Sequence, residues 1–188
     1  SVAPEIPVIL DVKRADIGNS NEAYAKAAFE YLLADAVTVN PYLGGETLKE
    51  FFAYKSKGVF VLCRNPGADE IQMLQVGDEP LYAAVARRVA DGWNMNGNCG
   101  VVVSAGCIDE LTTVRKLIGS MPILIPGVGA QGGDPSAAVR AGADANHSGI
   151  IVHSARSIIF ASSSPDYAET ARRETIKLKD SINRALAV

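Results

Sequence analysis

Aromatic residues are scarce in this chain, at 6% of 188 residues with a single tryptophan. Blocks of like charge are absent. Eighteen Lys and Arg face 21 Asp and Glu for a net charge of −3, and the cations are scattered, which argues against a nucleic acid partner. No apolar run approaches the ~20 residues of a membrane span, so no membrane role is expected. No basic segment leads into an apolar one as in a leader peptide, and the expected location is the cytoplasm. The three cysteines, Cys63, Cys99 and Cys107, form no C-x-x-C, and His147 and His153 have no metal-like spacing with them. A disulfide framework and a structural metal are both unexpected; Cys63 and Cys99 border apolar runs and read as small core fillers. What is abundant is apolar: 48% of residues are hydrophobic, enough for one domain with a substantial core.

Strand and helix patterns alternate along the chain. Short apolar runs mark strands at 6–11, 36–40, 58–63, 100–104, 122–125 and 149–153. Amphipathic stretches between them mark helices at 20–33, 46–55, 80–95, 107–118 and 134–141, with a last helix over 166–186. The strand runs are nearly continuous rather than alternating, as expected of parallel strands covered on both faces. An open doubly wound sheet and a (β/α)8 barrel both fit this order. Asp11 and Lys13, Asn40, Asn65, Ser104, the 126–135 loop and Arg156 lie at or beyond the ends of all six strands, which suits a barrel's catalytic rim better than one crevice. A TIM barrel needs eight such units and about 250 residues. The expectation is therefore a single domain over 1–188 that carries six of the eight βα units and lacks the first two, which would precede Ser1.

Two segments carry chemistry. Asp11-Val-Lys-Arg-Ala-Asp16 closes the first apolar run. Strand alternation puts Asp11 and Lys13 on one face, with Asp16 in the turn beyond. Two carboxylates and an amine at the tip of a buried strand must compensate each other or react; by itself the D-x-K spacing is equally that of a structural ion pair. Pro126-Gly-Val-Gly-Ala-Gln-Gly-Gly-Asp-Pro135 follows another strand. Its glycines permit close approach of backbone to a ligand, and Asp134-Pro135 reads as a helix cap followed by a first-turn proline. Such a loop entering a helix suits an anionic group. His153 reads as structural and Trp93 as a helix-end packing residue.

With its D-x-K-x-x-D run, its Pro126–Asp134 loop and Ser154-Ala-Arg-Ser157, the chain resembles orotidine 5′-phosphate decarboxylase of the bacterial long-chain subgroup, over essentially its whole length. The resemblance implies a carboxy-lyase of de novo pyrimidine biosynthesis that converts orotidine 5′-monophosphate to UMP and carbon dioxide without cofactor or metal. It implies that Lys13 donates the proton to C6, that Asp11 lies beside the departing carboxylate and holds Lys13, and that Asp16 crosses a homodimer interface with Ile17 and Ser20 near it. Pro126 would line the pyrimidine pocket, Gln131 and Gly132 would belong to the loop closing over the phosphate, and Arg156 would bind that phosphate. Opposite charges favour a lysine's charged form, and a preorganised charged array stabilises charge as it develops.

Two departures stand out. The family's second lysine and its ribose-binding aspartate would lie on segments before residue 1. The Thr-Ser pair that usually precedes the Asn-Pro of the 63–67 loop, whose serine touches the base, is absent, leaving Asn65 or Arg64 as the substitute. An aldolase of the hexulose-phosphate synthase kind shares the D-x-K-x-x-D layout but would need magnesium and a further acid near the strand ends, where 40, 65 and 104 are not acidic. An inactive phosphate-binding fragment is the third alternative.

Overall fold

The structure, a computed structural model, describes residues 5–129 and 134–187. Strand β1 (Ile9–Arg14) leads to α1 (Gly18–Lys26), which runs on as a wider π turn over Ala27–Tyr31. Then come β2 (Ala36–Val39), α2 (Gly45–Phe52), β3 (Gly58–Arg64) and the short α3 (Asp69–Gln72). A small antiparallel hairpin, β4 (Gln75–Val76) with β5 (Glu79–Pro80), precedes α4 (Leu81–Arg88) and its π extension over Val89–Trp93. The chain continues through β6 (Cys99–Val103), α5 (Ile108–Ile118), β7 (Ile123–Ile125), α6 (Pro135–Gly142), β8 (Ile150–Val152), α7 (Arg156–Ile159) and α8 (Tyr167–Leu186).

The main sheet runs β1-β2-β3-β6-β7-β8, every pairing parallel. Strands lie in chain order with no reversal, whereas a doubly wound sheet reverses its order at a switch point. The expected architecture is thus present as six βα units of a barrel, curled around an inner face.

Alternation along each strand sorts the side chains. One set packs under the helices in the main core, which includes Val37, Val39, Val59, Val61, Val101, Val103, Ile123 and Ile125 together with Leu48, Phe51 and Leu111 from the helices. The other set forms the small inner cluster of Ala36, Phe60, Val102 and Leu124, with Ile9 and Leu62 against it. Gly100 has no room for a side chain because an added Cβ would sit 2.6 Å from the Phe60 ring and 2.7 Å from the Pro122 carbonyl.

Two expectations need correcting. The first strand lies over 9–14, not 6–11: Ile6 and Val8 are exposed, and Pro7 has no N–H for a ladder. β1 and β8 are also only partly buried, because each has a strand neighbour on one side alone. The remaining strands of the main sheet match the covered pattern.

Arg115 on α5 is a buried strut. Its Nε donates to the Gly142 carbonyl at 2.6 Å, Nη1 to Met121 at 2.8 Å and to Gly119, and Nη2 to Gly149 at 2.7 Å. One guanidinium thereby ties α5 to the end of α6 and to the entries of β7 and β8. Burial lowers its pKa, against the opposing charge of Asp144. Replacing Arg115 with methionine leaves these carbonyls without their donor, and we expect a loss of about 3–5 kcal/mol in urea unfolding; a loss below ~1 kcal/mol would mean that water replaces the guanidinium at little cost.

Candidate active site

The inner face ends in an open cavity of about 750 Å³ at the C-terminal ends of the strands. Ile9, Leu62, Val102, Leu124 and Ile151 form its apolar floor, and Asp11, Lys13, Asn65, Ser104, Pro126, His153 and Arg156 stand around its mouth. Polar groups above an apolar floor suit a ligand with a flat ring and a charged tail.

Lys13 Nζ lies 2.6 Å from Asp11 Oδ1. The pair lies at a break in the β1–β2 ladder, whose register shifts between Leu10 and Arg14. Lys13 sits at φ 50°, in the left-handed region that costs a non-glycine residue ~1–2 kcal/mol. Thr38, wholly buried in β2, spans the break. It accepts the Lys13 N–H at 2.9 Å and donates to Asp11 Oδ1 at 2.8 Å. No motif pointed to Thr38; the available signal was a polar residue inside the apolar run Ala36-Val-Thr-Val39.

Burial of Asp11 raises its pKa. Hydrogen bonds from Lys13 and Thr38 and the charges of Lys13 and His153 outweigh that and hold it below the ordinary carboxylate value.

Asp16 does not join this pair. It is absent from the cavity wall, and its Oδ1 accepts the N–H of Ile17 at 2.8 Å. Buried Asn21 pins the turn by donating to the Asp16 carbonyl at 2.7 Å and to that of Thr47. Ile17 is 66% exposed beside it, and Ser20 lies in the first turn of α1. The expected convergence of two carboxylates with the amine is therefore a single carboxylate and the amine within one chain.

Arg64 is also excluded from the cavity. Alternation would point it inward after Phe60 and Leu62, but the register of β3 shifts between Leu62 and Arg64. Its guanidinium instead binds Glu110 at 2.8 Å and Asp69 at 2.7 Å, with 7% of the side chain exposed. Burial works against its charge, and the bonds to Glu110 and Asp69 more than restore it. Asn65 keeps the cavity position. Gln72 accepts the Asn65 backbone N–H at 2.9 Å through Oε1 and donates from Nε2 to Asn65 Oδ1 at 2.8 Å. Because a backbone N–H can only donate, both amides are oriented. Asn65 Nδ2 keeps its hydrogens, with one long bond to the Pro66 carbonyl at 3.4 Å.

On the opposite wall, Ser154 Oγ donates to the Val128 carbonyl at 3.1 Å and lies 2.6 Å from Ser157 Oγ. These contacts tie the segment after β7 to the segment after β8 and place Arg156 at the rim. Gly129 has φ 84°, and a Cβ there would sit 3.0 Å from Ser157 Oγ. Asp134 caps α6 as expected, accepting the Ser136 N–H at 2.9 Å ahead of Pro135. Gln131 and Gly132 lie outside the described residues. Trp93 packs at the helix end against Phe52, 6.1 Å between centroids. Cys63 and Cys99 are buried, and burial pushes both thiols up to about 12. Among the described residues, no three His, Cys, Asp or Glu side chains are grouped to hold a metal ion, and no helix is long and apolar enough to cross a membrane.

The profile of the Orotidine 5′-phosphate decarboxylase / HUMPS family matches residues 3–173. The chain is 50% identical over 182 residues to an orotidine 5′-phosphate decarboxylase of Azoarcus sp. (strain BH72), covering 96% of this chain and 67% of that protein. It is 49% identical to the enzyme of that name from Ralstonia pickettii (strain 12J), covering 96% and 68%. Among solved structures, the OMP decarboxylase of Leishmania donovani superposes with a TM-score of 0.86 at 38% identity, covering 97% of this chain and 71% of that one. The chain belongs to the Orotidine 5′-phosphate decarboxylase / HUMPS family.

The depressed pKa of Asp11 has a testable sign. Its stabilising contribution is complete above the ordinary carboxylate pKa of about 3.9 and is lost as the pH falls through the lower folded value. Replacing Lys13 with methionine should move the Asp11 titration upward in carbon-13 NMR; an unchanged titration would show that the pair does not hold in solution.

Proposed function

We propose that this family member is the decarboxylase, converting orotidine 5′-monophosphate to UMP and carbon dioxide in pyrimidine biosynthesis. The observation that carries this reading is the Asp11–Lys13 pair at one wall of the cavity, 2.6 Å apart, with Arg156 at the same rim. The names of the relatives at 50% and 49% identity support the decarboxylase over the aldolase.

The groups present would act as follows. The bond from C6 to its carboxylate breaks, carbon dioxide leaves, and the electron pair remains at C6. The Lys13 ammonium, held by Asp11, stabilises that charge and then transfers a proton to C6, regaining one from solvent. A fixed cation does this without reorganising at the moment of reaction. Arg156 suits the phosphate through its planar fork, so binding energy gained at a distant group can align the base. Pro126 lines the pyrimidine side. By the family's pattern, Gln131 and Gly132 would bind the phosphate.

Asn65, held by Gln72, offers an N–H donor to a pyrimidine carbonyl in place of the missing serine. In a homodimer, Asp16 would serve the neighbouring site, flanked by Ile17 and Ser20; its turn away from its own cavity fits that role. The expected location is the cytoplasm.

Loss of orotidine 5′-monophosphate absorbance, followed with EDTA present, tests the reaction. Turnover should persist in EDTA and fall by about 100- to 10,000-fold in Lys13→Ala. Turnover that ceases on chelation, or that survives the substitution, would contradict the assignment. For the base contact, Asn65→Ala and Gln72→Leu should each raise KM by about tenfold, the worth of one hydrogen bond near 1.4 kcal/mol, with kcat less affected. An unchanged KM would remove Asn65 from recognition.

A further inference from the structure

We infer that Thr38 is a positioning residue for this reaction, its hydroxyl holding the Asp11 carboxylate and the Lys13 backbone in the one arrangement that presents the ammonium to the cavity. The inference rests on the decarboxylase reading and adds a residue that touches neither substrate nor reacting atoms.

Thr38 is a polar residue where packing alone would favour an apolar one. Its neighbours Val37 and Val39 are completely buried, as it is, and valine has nearly the same shape. Packing therefore does not explain the hydroxyl, and its partners do. The hydroxyl gives its single proton to Asp11 Oδ1 at 2.8 Å and takes the Lys13 N–H at 2.9 Å.

That N–H lies within the break of the β1–β2 ladder, between the Leu10 and Arg14 pairings. Thr38 Oγ1 gives this N–H its partner inside the break. The same contact secures Lys13 in its left-handed conformation, φ 50°, which persists only where the surroundings determine it.

The bonds close a ring. Thr38 binds Asp11, Asp11 binds Lys13 Nζ at 2.6 Å, and the Lys13 backbone returns to Thr38. Opening it at Thr38 frees both the carboxylate rotamer and the lysine backbone, and misplacement of about 1 Å near a reacting centre can cost on the order of 100-fold in rate.

The ring also sets a pH response. The titratable groups acting on Asp11 are Lys13 from its own strand and His153 from the end of β8. Losing the Thr38 bond raises the Asp11 pKa, so the carboxylate protonates at higher pH and releases Lys13 sooner on acidification.

The test compares Thr38→Val, Thr38→Ala and Thr38→Ser with the wild-type chain. The valine and alanine variants should lose about 10- to 100-fold in kcat with KM within about threefold, shift the acid limb of the kcat profile upward, and raise the Asp11 titration seen by carbon-13 NMR. Serine keeps the hydroxyl and should restore all three readings. Having two hydroxyl-free variants guards against one failing to fold, which thermal melting reports. Wild-type kcat and an unmoved acid limb in a folded valine or alanine variant would overturn the inference and leave the decarboxylase assignment intact. If the wild-type chain does not turn over the nucleotide, the Asp11 titration still decides whether Thr38 holds the carboxylate: raised in valine and normal in serine supports it, the same in all four overturns it.

Discussion

Holding a lysine ammonium 2.6 Å from a carboxylate at the end of a sheet requires two backbones to be fixed at once. β1 leaves its regular ladder between Leu10 and Arg14, where Lys13 meets Asp11, and β2 supplies the partner of the Lys13 N–H. Thr38 does so from a strand buried on both sides. The pair itself is about half exposed, so solvent screens it and its Coulomb energy contributes little to stability. Its geometry comes from the sheet. Everything that keeps β2 in place between β1 and β3, including the apolar layer under α1 and α2, serves the aim of one amine.

Three cations show how the fold assigns charge. Lys13 and Arg64 occupy comparable positions near the ends of β1 and β3, each beside an irregularity of register. Lys13 turns into the cavity with one carboxylate and its ammonium half exposed. Arg64 turns away and is neutralised by Glu110 and Asp69; removing one carboxylate would leave charge in a region that water barely reaches. Arg115 meets no carboxylate and instead collects backbone carbonyls from neighbouring loops. Only the first is placed to do chemistry at the mouth. The second shapes the 65–72 segment so that Asn65 faces the cavity, and the third secures the helix and strand ends on the other side.

Much of this was legible in the sequence, because the signals were physical ones acting locally. Parallel strands covered by helices leave continuous apolar runs, and β2, β3, β6 and β7 fall where those runs lie. The cap at Asp134-Pro135 acts within three residues and was equally readable. Events between strands were not. The offset of β1 arises because Pro7 cannot enter a ladder while the irregular pairing extends the strand to Arg14. The departure of Arg64 follows from a register shift that alternation cannot reveal. The β4–β5 hairpin has strands of two residues, too short for any period. Asp16 is close to Asp11 and Lys13 in sequence, but the turn pinned by Asn21 directs its carboxylate to the adjacent N–H.

On the proposed mechanism, Lys13 faces the carbon that loses carbon dioxide. Intermolecular nuclear Overhauser effects between the bound product UMP and the protein test it directly. Contacts are expected from the C6 proton of UMP to the ε-methylene of Lys13, with the phosphate perturbing Arg156. Contacts from that proton to the floor residues Leu62 and Val102 alone, with Lys13 unperturbed, would contradict it.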